Sequence, residues 1–163
     1  MNKYEVLIKK NPNGDTRTAP KDVNFGQFQV ANDMHINDVA SVMLALGMML
    51  NEKGKAHDWT KKAYEEEFYH DFLDTINNGS NFIKGEWYKM HVEKERHHLL
   101  TRCPEDVNLL DIIEMIVDCI CAGKARSGGV YPIDIPVDIL KRAVTNTVKT
   151  VDDMVEVEDG ESN

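Results

Sequence analysis

The sequence contains, at residues 24–54, the stretch NFGQFQVANDMHINDVASVMLALGMMLNEKG. Its apolar positions recur at steps of three, four and seven, the spacing of one face of an α-helix. The residues on that face are Phe28, His35, Val39, Val42, Leu46 and Met49. The stretch therefore predicts a long amphipathic helix that ends at Gly54, with His35 as a polar residue on its apolar face.

Four further helical patterns follow this stretch, and each is bounded by residues that stop a helix. Asn77-Asn78-Gly79-Ser80 ends one pattern, and Pro104 separates the next two. The predicted helices cover about residues 58–76, 86–100, 108 to within 124–129, and 137–148. Five helices joined by short breaks predict an all-α fold, a single helical bundle over residues 24–151.

The two ends of the chain have other patterns. Residues 4–10 alternate apolar and polar side chains, and the turn-forming Asn11-Pro12-Asn13-Gly14-Asp15 follows, so residues 1–23 predict a short hairpin or an extended arm. Residues 152–163 are strongly acidic, which predicts a disordered tail outside the fold.

Composition narrows the classes of partner. The chain has 163 residues, enough for one domain, and a net charge of -9 without a basic block, which disfavours nucleic acid as a partner. No apolar run approaches the roughly 18 residues of a membrane span, and the three cysteines show no pairing pattern. We therefore expect a cytoplasmic protein with no membrane partner. The sequence does not fix the oligomeric state, and a homo-oligomer is one of the possibilities.

Histidines are the most informative residues for chemistry. Those at positions 35, 57, 91, 97 and 98 can be brought together by long helices, and imidazole with carboxylate is the ligand set for divalent transition metals. His91 and His98 are seven residues apart and share a helical face, whereas His97 points about 100 degrees away from His98 on an ideal helix. We therefore predict that His98 faces the metal and His97 does not.

Two acidic residues complete the candidate ligands. The His57-Asp58 pair lies at a helix start, where both side chains can turn toward one ion. Asp118 lies among apolar neighbours in residues 114–121, so its carboxylate should be partly buried and needs a partner. That partner is either a cation held by His35, His57 and Asp58 or a basic side chain such as Arg126.

This pattern resembles the HD superfamily of metal-dependent phosphohydrolases, which carries a His, then a His-Asp pair, then a distant Asp. His35, His57-Asp58 and Asp118 occupy those places. The resemblance implies an HD-type bundle and one metal ion held by these residues, with His91 and His98 matching the positions that hold a second ion in some members. The sequence departs from better-known members at Trp59-Thr60, which leaves the specificity for a nucleotide base open.

Three stretches also look like an uncharacterised family encoded by bacteriophages and prophages. They are Asn11-Pro12-Asn13-Gly14-Asp15, His57-Asp58-Trp59-Thr60-Lys61 and Glu95-Arg96-His97-His98. The likeness covers nearly the whole chain and assigns no substrate. If the protein is phage-encoded, its cytoplasm is that of the host cell.

The expected function is hydrolysis of a phosphate ester, with a nucleotide favoured by the HD resemblance. One or two divalent ions (Mn, Fe, Co, Ni, Zn or Mg) would serve as cofactor, and Asp58, Lys61 and Arg126 are the expected catalytic residues. Lys61, Arg96, Lys124 and Arg126 are the basic groups that could contact phosphate. Of these, Arg126 is favoured because it lies two turns after Asp118.

Two alternatives stay open from the sequence. One is a phage protein that binds and sequesters a nucleotide without turnover. The other is an all-α nucleoside-triphosphate pyrophosphohydrolase, because Glu65-Glu66-Glu67 and Asp71 could hold magnesium through oxygen ligands.

Overall fold

The computed structural model describes residues 3–158, and most of them are helical. The helices are α1 (Phe25–Ala56), α2 (Trp59–Ala63), α3 (Glu65–Asn78), α4 (Glu86–Lys94), α5 (Leu109–Ser127) and α6 (Val137–Asp152). Two strands, β1 (Val6–Lys9) and β2 (Val155–Glu158), form the sheet. The all-α class and the five main helices are confirmed, and α2 is an additional helix of five residues.

Contacts divide the chain into two compact units. The first comprises Met1–Asn51 and Val148–Asn163, and the second comprises Glu52–Thr147. None of the helices within residues 3–158 combines the length and the apolar character needed to cross a membrane.

The sheet of the first unit joins segments from both ends of the sequence. β1 and β2 are parallel, with Val6 opposite Val155, and the Val6 N–H donates to the Met154 carbonyl at 2.8 Å. Of the two structures predicted for the N-terminal segment, the extended arm is the one observed, because the partner of β1 is β2 and not a neighbouring strand. The predicted disorder was wrong for residues 155–158, whose Val-Glu-Val-Glu alternation has the period of a strand. Residues 159–163 lie outside the described part of the chain.

Helix α1 begins with a reciprocal capping pair. The Asn24 side chain accepts from the Gln27 N–H, and the Gln27 side chain accepts from the Asn24 N–H, each at 3.0 Å. The helix continues through Gly54, the predicted end, to Ala56. Near this end the Lys53 ammonium is bound by the carboxylates of Asp111 and Glu114. These contacts are between residues distant in sequence, so the glycine at position 54 did not indicate them.

The second unit has its core around α5 and α6. The buried apolar residues packed together there are Leu99, Val107, Ile112, Met115, Ile139 and Ala143. Helix α5 is capped by Asn108, the residue before its first turn. The Asn108 side chain accepts from the N–H groups of Leu110 and Asp111, and the Asp111 side chain accepts from the Asn108 N–H. It ends before Gly128, which has the left-handed φ of 75° common after a helix.

Two predicted helices differ from the observed ones: the first is divided and the second is shorter. The pattern over 58–76 is divided at Tyr64 into α2 and α3, and the pattern over 86–100 ends with α4 at Lys94. At Glu95 the backbone is extended, and the Glu95 side chain is buried against Thr60. Residues 96–101 therefore form turns rather than a continued helix, which changes where His97 and His98 point.

Candidate metal centre

The second unit brings together histidines and acidic residues from four segments. His57 and Asp58 lie between α1 and α2, His91 on α4, His97 and His98 in the turn after α4, and Asp118 on α5. Potential ligand atoms converge within 4.8 Å of one another in two clusters. The first, called here the Asp58 cluster, contains Asp58, His91, His97 and His98; the second, the Asp118 cluster, contains His57, His97 and Asp118.

Asp58 has an unusual backbone conformation. Its φ of 57° and ψ of 28° are left-handed, and no other non-glycine residue within 3–158 has a positive φ. Such strain recurs at functional sites. Burial alone would raise the pKa of its carboxyl, but hydrogen bonds from His57 and Lys61 hold that pKa well below the ordinary range. Asp58 is therefore an anion at neutral pH.

One oxygen of Asp58 lacks a hydrogen-bond partner within the described residues. Oδ1 is buried, and it lies 3.6 Å from Nε2 of His91 and 3.6 Å from Nε2 of His97. A buried carboxylate oxygen without a donor is costly unless a cation satisfies it. The donor set of one carboxylate and three imidazoles fits a divalent transition metal.

His91 and His98 approach each other through the same ring atom. Their Nε2 atoms are 2.7 Å apart. Burial lowers the pKa of His91 to about 4, and burial together with the charge of His97 lowers the pKa of His98 to about 4. Both rings are therefore neutral at pH 7, the form in which imidazole binds a metal.

His57 has the opposite electrostatic environment. Its Nε2 lies 3.4 Å from Asp118 and 3.3 Å from Asp58, and its Nδ1 lies 3.1 Å from Glu114. Hydrogen bonds to Asp118, Asp58 and Glu114 raise the pKa of His57 to about 11. The ring is thus an imidazolium among three carboxylates, and a metal ion at Nε2 would have to replace its proton.

A network of ion pairs around the buried Asp111 holds Glu114 against His57. Lys53 Nζ donates to Glu114 and contacts Asp111, each at 2.8 Å. Arg96 donates to both oxygens of Asp111, at 3.0 and 2.9 Å. A carboxylate behind a histidine orients the ring toward a metal, so Glu114 is well placed to fix the direction of His57 Nε2. Arg96, one of the basic groups that could contact phosphate, is therefore bound to Asp111 in this structure.

His97 belongs to both clusters, and the prediction that it faces away was wrong. It is 2% exposed, and its ring centroid lies 4.4 Å from that of His57. Its Nδ1 lies 3.4 Å from Glu114 Oε1 and has no hydrogen-bond partner in the described part of the chain. The prediction assumed an ideal helix through residue 98, whereas α4 ends at Lys94.

The remaining predicted site residues have different positions. His35 lies on α1 in the first unit with its side chain exposed, and it is in neither cluster. Lys61 contacts Asp58 and is 33% exposed, so its ammonium remains partly open to solvent. Arg126, expected from the sequence to bind phosphate, lies in the last turn of α5 with its side chain exposed.

The sequence did not identify Glu114, Thr60, Glu95 or His97 as members of the site. Glu114 had one local signal, its place in an acidic stripe with Asp111 and Asp118 beside the apolar face of α5. Thr60 and Glu95 had none, because their contact joins positions 35 residues apart.

The acidic run that suggested a pyrophosphohydrolase has another environment. Glu65, Glu66 and Glu67 are exposed in the first turn of α3, where negative charge is favourable to the helix. Asp71 accepts the backbone N–H of Trp87 at the start of α4. None of these residues belongs to the two clusters found within residues 3–158.

Comparison with known proteins gives one match. A protein-family model described as a family of unknown function, DUF5662, matches residues 26–154. No curated protein and no solved structure shows a significant match to the chain.

Proposed function

Given that the chain belongs to the DUF5662 family, whose function is unknown, we propose that it is a metal-dependent phosphohydrolase acting on a phosphate ester, most readily a nucleotide. The observation that carries the proposal is the buried Asp58 Oδ1, which finds no donor among residues 3–158 and faces the Nε2 atoms of His91 and His97. The substrate class comes from the resemblance to the HD superfamily.

The Asp58 cluster and the Asp118 cluster would each hold a divalent cation. They share His97, and Asp58 directs Oδ1 toward His91 and Oδ2 toward His57 and Lys61, so Asp58 could supply a ligand to each side if two ions were bound. A bound divalent ion supplies Lewis acidity, which lowers the pKa of water and polarises a phosphoryl oxygen.

The chain's own residues would bind and orient the phosphate. Lys61 is partly exposed beside Asp58, which places a cation where a phosphate oxygen can reach it. Asp118 and His57 are 31% and 26% exposed, so the Asp118 cluster is the more open of the two. His91 and His97 are almost fully buried, so their rings are shielded from water.

The first test is metal content. We expect one or two equivalents of Mn²⁺, Co²⁺, Ni²⁺ or Zn²⁺ by elemental analysis after incubation and desalting. Asp118→Asn should keep the shape of the side chain and lose part of the metal, because it removes a charge 3.4 Å from His57. Asp106→Asn is the matched control, since Asp106 is exposed and pairs with Arg96. A parent protein that stays metal-free contradicts the proposal.

The second test is turnover. Phosphate release should be measured on a panel of nucleotides with Mn²⁺, Co²⁺, Ni²⁺ or Mg²⁺, for the parent and for Lys61→Ala. We expect release by the parent and a raised KM in the variant, because Lys61 is assigned to phosphate binding. Metal-loaded protein that binds nucleotides stoichiometrically without releasing phosphate would instead favour the sequestering role.

A further inference from the structure

We infer that Thr60 and Glu95 are positioning residues that fix His91 as the tautomer protonated on Nδ1, so that its Nε2 lone pair is presented to the metal. The inference rests on the proposed function, which makes a metal the recipient of that lone pair. It concerns two residues, Thr60 and Glu95, that lie outside both clusters.

The three side chains form a continuous buried chain of hydrogen bonds. Thr60 is 0% exposed, Glu95 5% and His91 3%. Glu95 Oε1 accepts from the Thr60 N–H at 2.9 Å and from the Thr60 hydroxyl at 2.6 Å. The same hydroxyl oxygen lies 2.7 Å from His91 Nδ1.

Counting protons assigns the direction of each bond. Glu95 Oε1, which accepts the Thr60 N–H, also accepts the Thr60 hydroxyl, so the single hydroxyl proton of Thr60 is directed to Glu95. The hydroxyl oxygen can then only accept from His91, which requires a proton on Nδ1. A neutral imidazole with Nδ1 protonated has its lone pair on Nε2.

This tautomer matters because Nε2 of His91 points into the Asp58 cluster. His91 Nε2 lies 2.7 Å from His98 Nε2 and 3.6 Å from Asp58 Oδ1, in the centre of the Asp58 cluster. The opposite tautomer would place an N–H group where the cation should lie. Trp87 stacks on His91 with centroids 4.7 Å apart and an interplanar angle of 13°, which restrains the ring plane while Thr60 sets the proton.

The tautomer can be read directly in metal-stripped protein. Long-range ¹H–¹⁵N spectra of protein labelled with ¹⁵N-histidine distinguish Nδ1–H from Nε2–H. We expect Nδ1–H for His91 in the parent and in Thr60→Ser, which keeps the hydroxyl. Thr60→Val removes it and should give a mixture or the Nε2–H form. An Nε2–H tautomer in the parent overturns the inference, even if Thr60→Val fails to fold.

Metal affinity provides the second readout. Titration of Co²⁺ into metal-stripped protein should give a Kd raised about 10- to 100-fold in Thr60→Val and changed little in Thr60→Ser. Thr147→Val is the matched control: Thr147 also links two hydrogen bonds in the second unit, from the Leu109 N–H and to the Ala143 carbonyl, outside the clusters. The control should keep the parental Kd and tautomer.

The two proposals fail in different ways. If the parent binds no Co²⁺, the proposed function is contradicted, while the spectra still decide the tautomer. If the parent binds Co²⁺ and Thr60→Val keeps both the parental tautomer and the parental Kd, the positioning role is contradicted and the proposed function stands.

Discussion

At the scale of single residues, the site depends on a backbone conformation of Asp58 that the sequence does not predict. Asp58 is left-handed, a conformation that an L-residue with a Cβ adopts at a cost of about 1–2 kcal/mol. The neighbouring charges and hydrogen bonds must hold it there. Glycine would relieve this strain, but it lacks the carboxylate on which the Asp58 cluster is built.

A pair of substitutions separates the strain from the chemistry. Asp58→Gly and Asp58→Ala both remove the carboxylate, and both should lose metal from the Asp58 cluster. They differ only in Cβ, so Asp58→Gly should be the more stable by about 1 kcal/mol, measured by urea unfolding of metal-free protein. Equal unfolding midpoints would argue against the left-handed conformation, and retained metal would remove Asp58 from the site.

At the scale of secondary structure elements, the N-terminus of α5 combines a capping motif with an ion-pair network around one buried carboxylate. Asp111 is 0% exposed, closes the capping pair with Asn108, and binds both Arg96 and Lys53. Burial alone would raise the pKa of Asp111, but the hydrogen bonds from Arg96 and Lys53 outweigh it and hold the pKa below the ordinary range. The start of this helix therefore depends on an ionised side chain.

This network predicts acid sensitivity of a definite sign. A carboxyl whose pKa is lower in the folded than in the unfolded state stabilises the fold above its unfolded pKa, and this contribution disappears as pH falls through the folded pKa. The free energy of unfolding of the parent should therefore fall below about pH 5, more steeply than that of Asp111→Asn. Denaturant unfolding between pH 7 and pH 3 measures both. Parallel curves would show that Asp111 is not the group responsible.

The same elements show how far sequence reasoning reaches. Helix α5 was predicted closely, because the cap at Asn108 and the glycine at 128 are local signals. The end of α4 was missed, because Glu95-Arg96-His97-His98 contains no glycine or proline; what accompanies the end is the tertiary contact between Glu95 and Thr60. The error about His97 follows from that one missed boundary.

The candidate site could be predicted as a set of residue types but not as an arrangement. The His57-Asp58 pair and Asp118 were identified from their positions, and the structure places Asp58 and Asp118 at 3.3 and 3.4 Å from His57 Nε2. His35 was singled out because it lay on an apolar face, yet its side chain is exposed. Helical periodicity gives the face of a residue and not what packs against it.

At the scale of the whole molecule, the two compact units differ in how their segments are connected. The second unit is continuous in sequence, from Glu52 to Thr147. The first is discontinuous, and its parallel sheet joins β1 to β2 across nearly the full described chain. Both candidate clusters lie entirely within the continuous unit.

Proline substitutions test the sheet. Val6→Pro removes the N–H that donates to Met154, and should lower the free energy of unfolding of the sheet by about 1–2 kcal/mol. Hydrogen exchange of the amides in Val155–Glu158 should become faster. Leu7→Pro is the matched control, because the Leu7 N–H points to the opposite edge of the strand and should have a smaller effect. Faster exchange in the control alone would contradict the parallel pairing.

The parallel pairing of β1 with β2 has a consequence during synthesis on the ribosome. About 150 residues separate the two strands, so at about 5–20 residues per second β1 emerges roughly 7–30 s before its partner. During that interval all of Glu52–Thr147 becomes available, including every residue of both clusters. The nascent chain can therefore assemble its candidate metal centre while β1 still lacks the strand that completes the sheet.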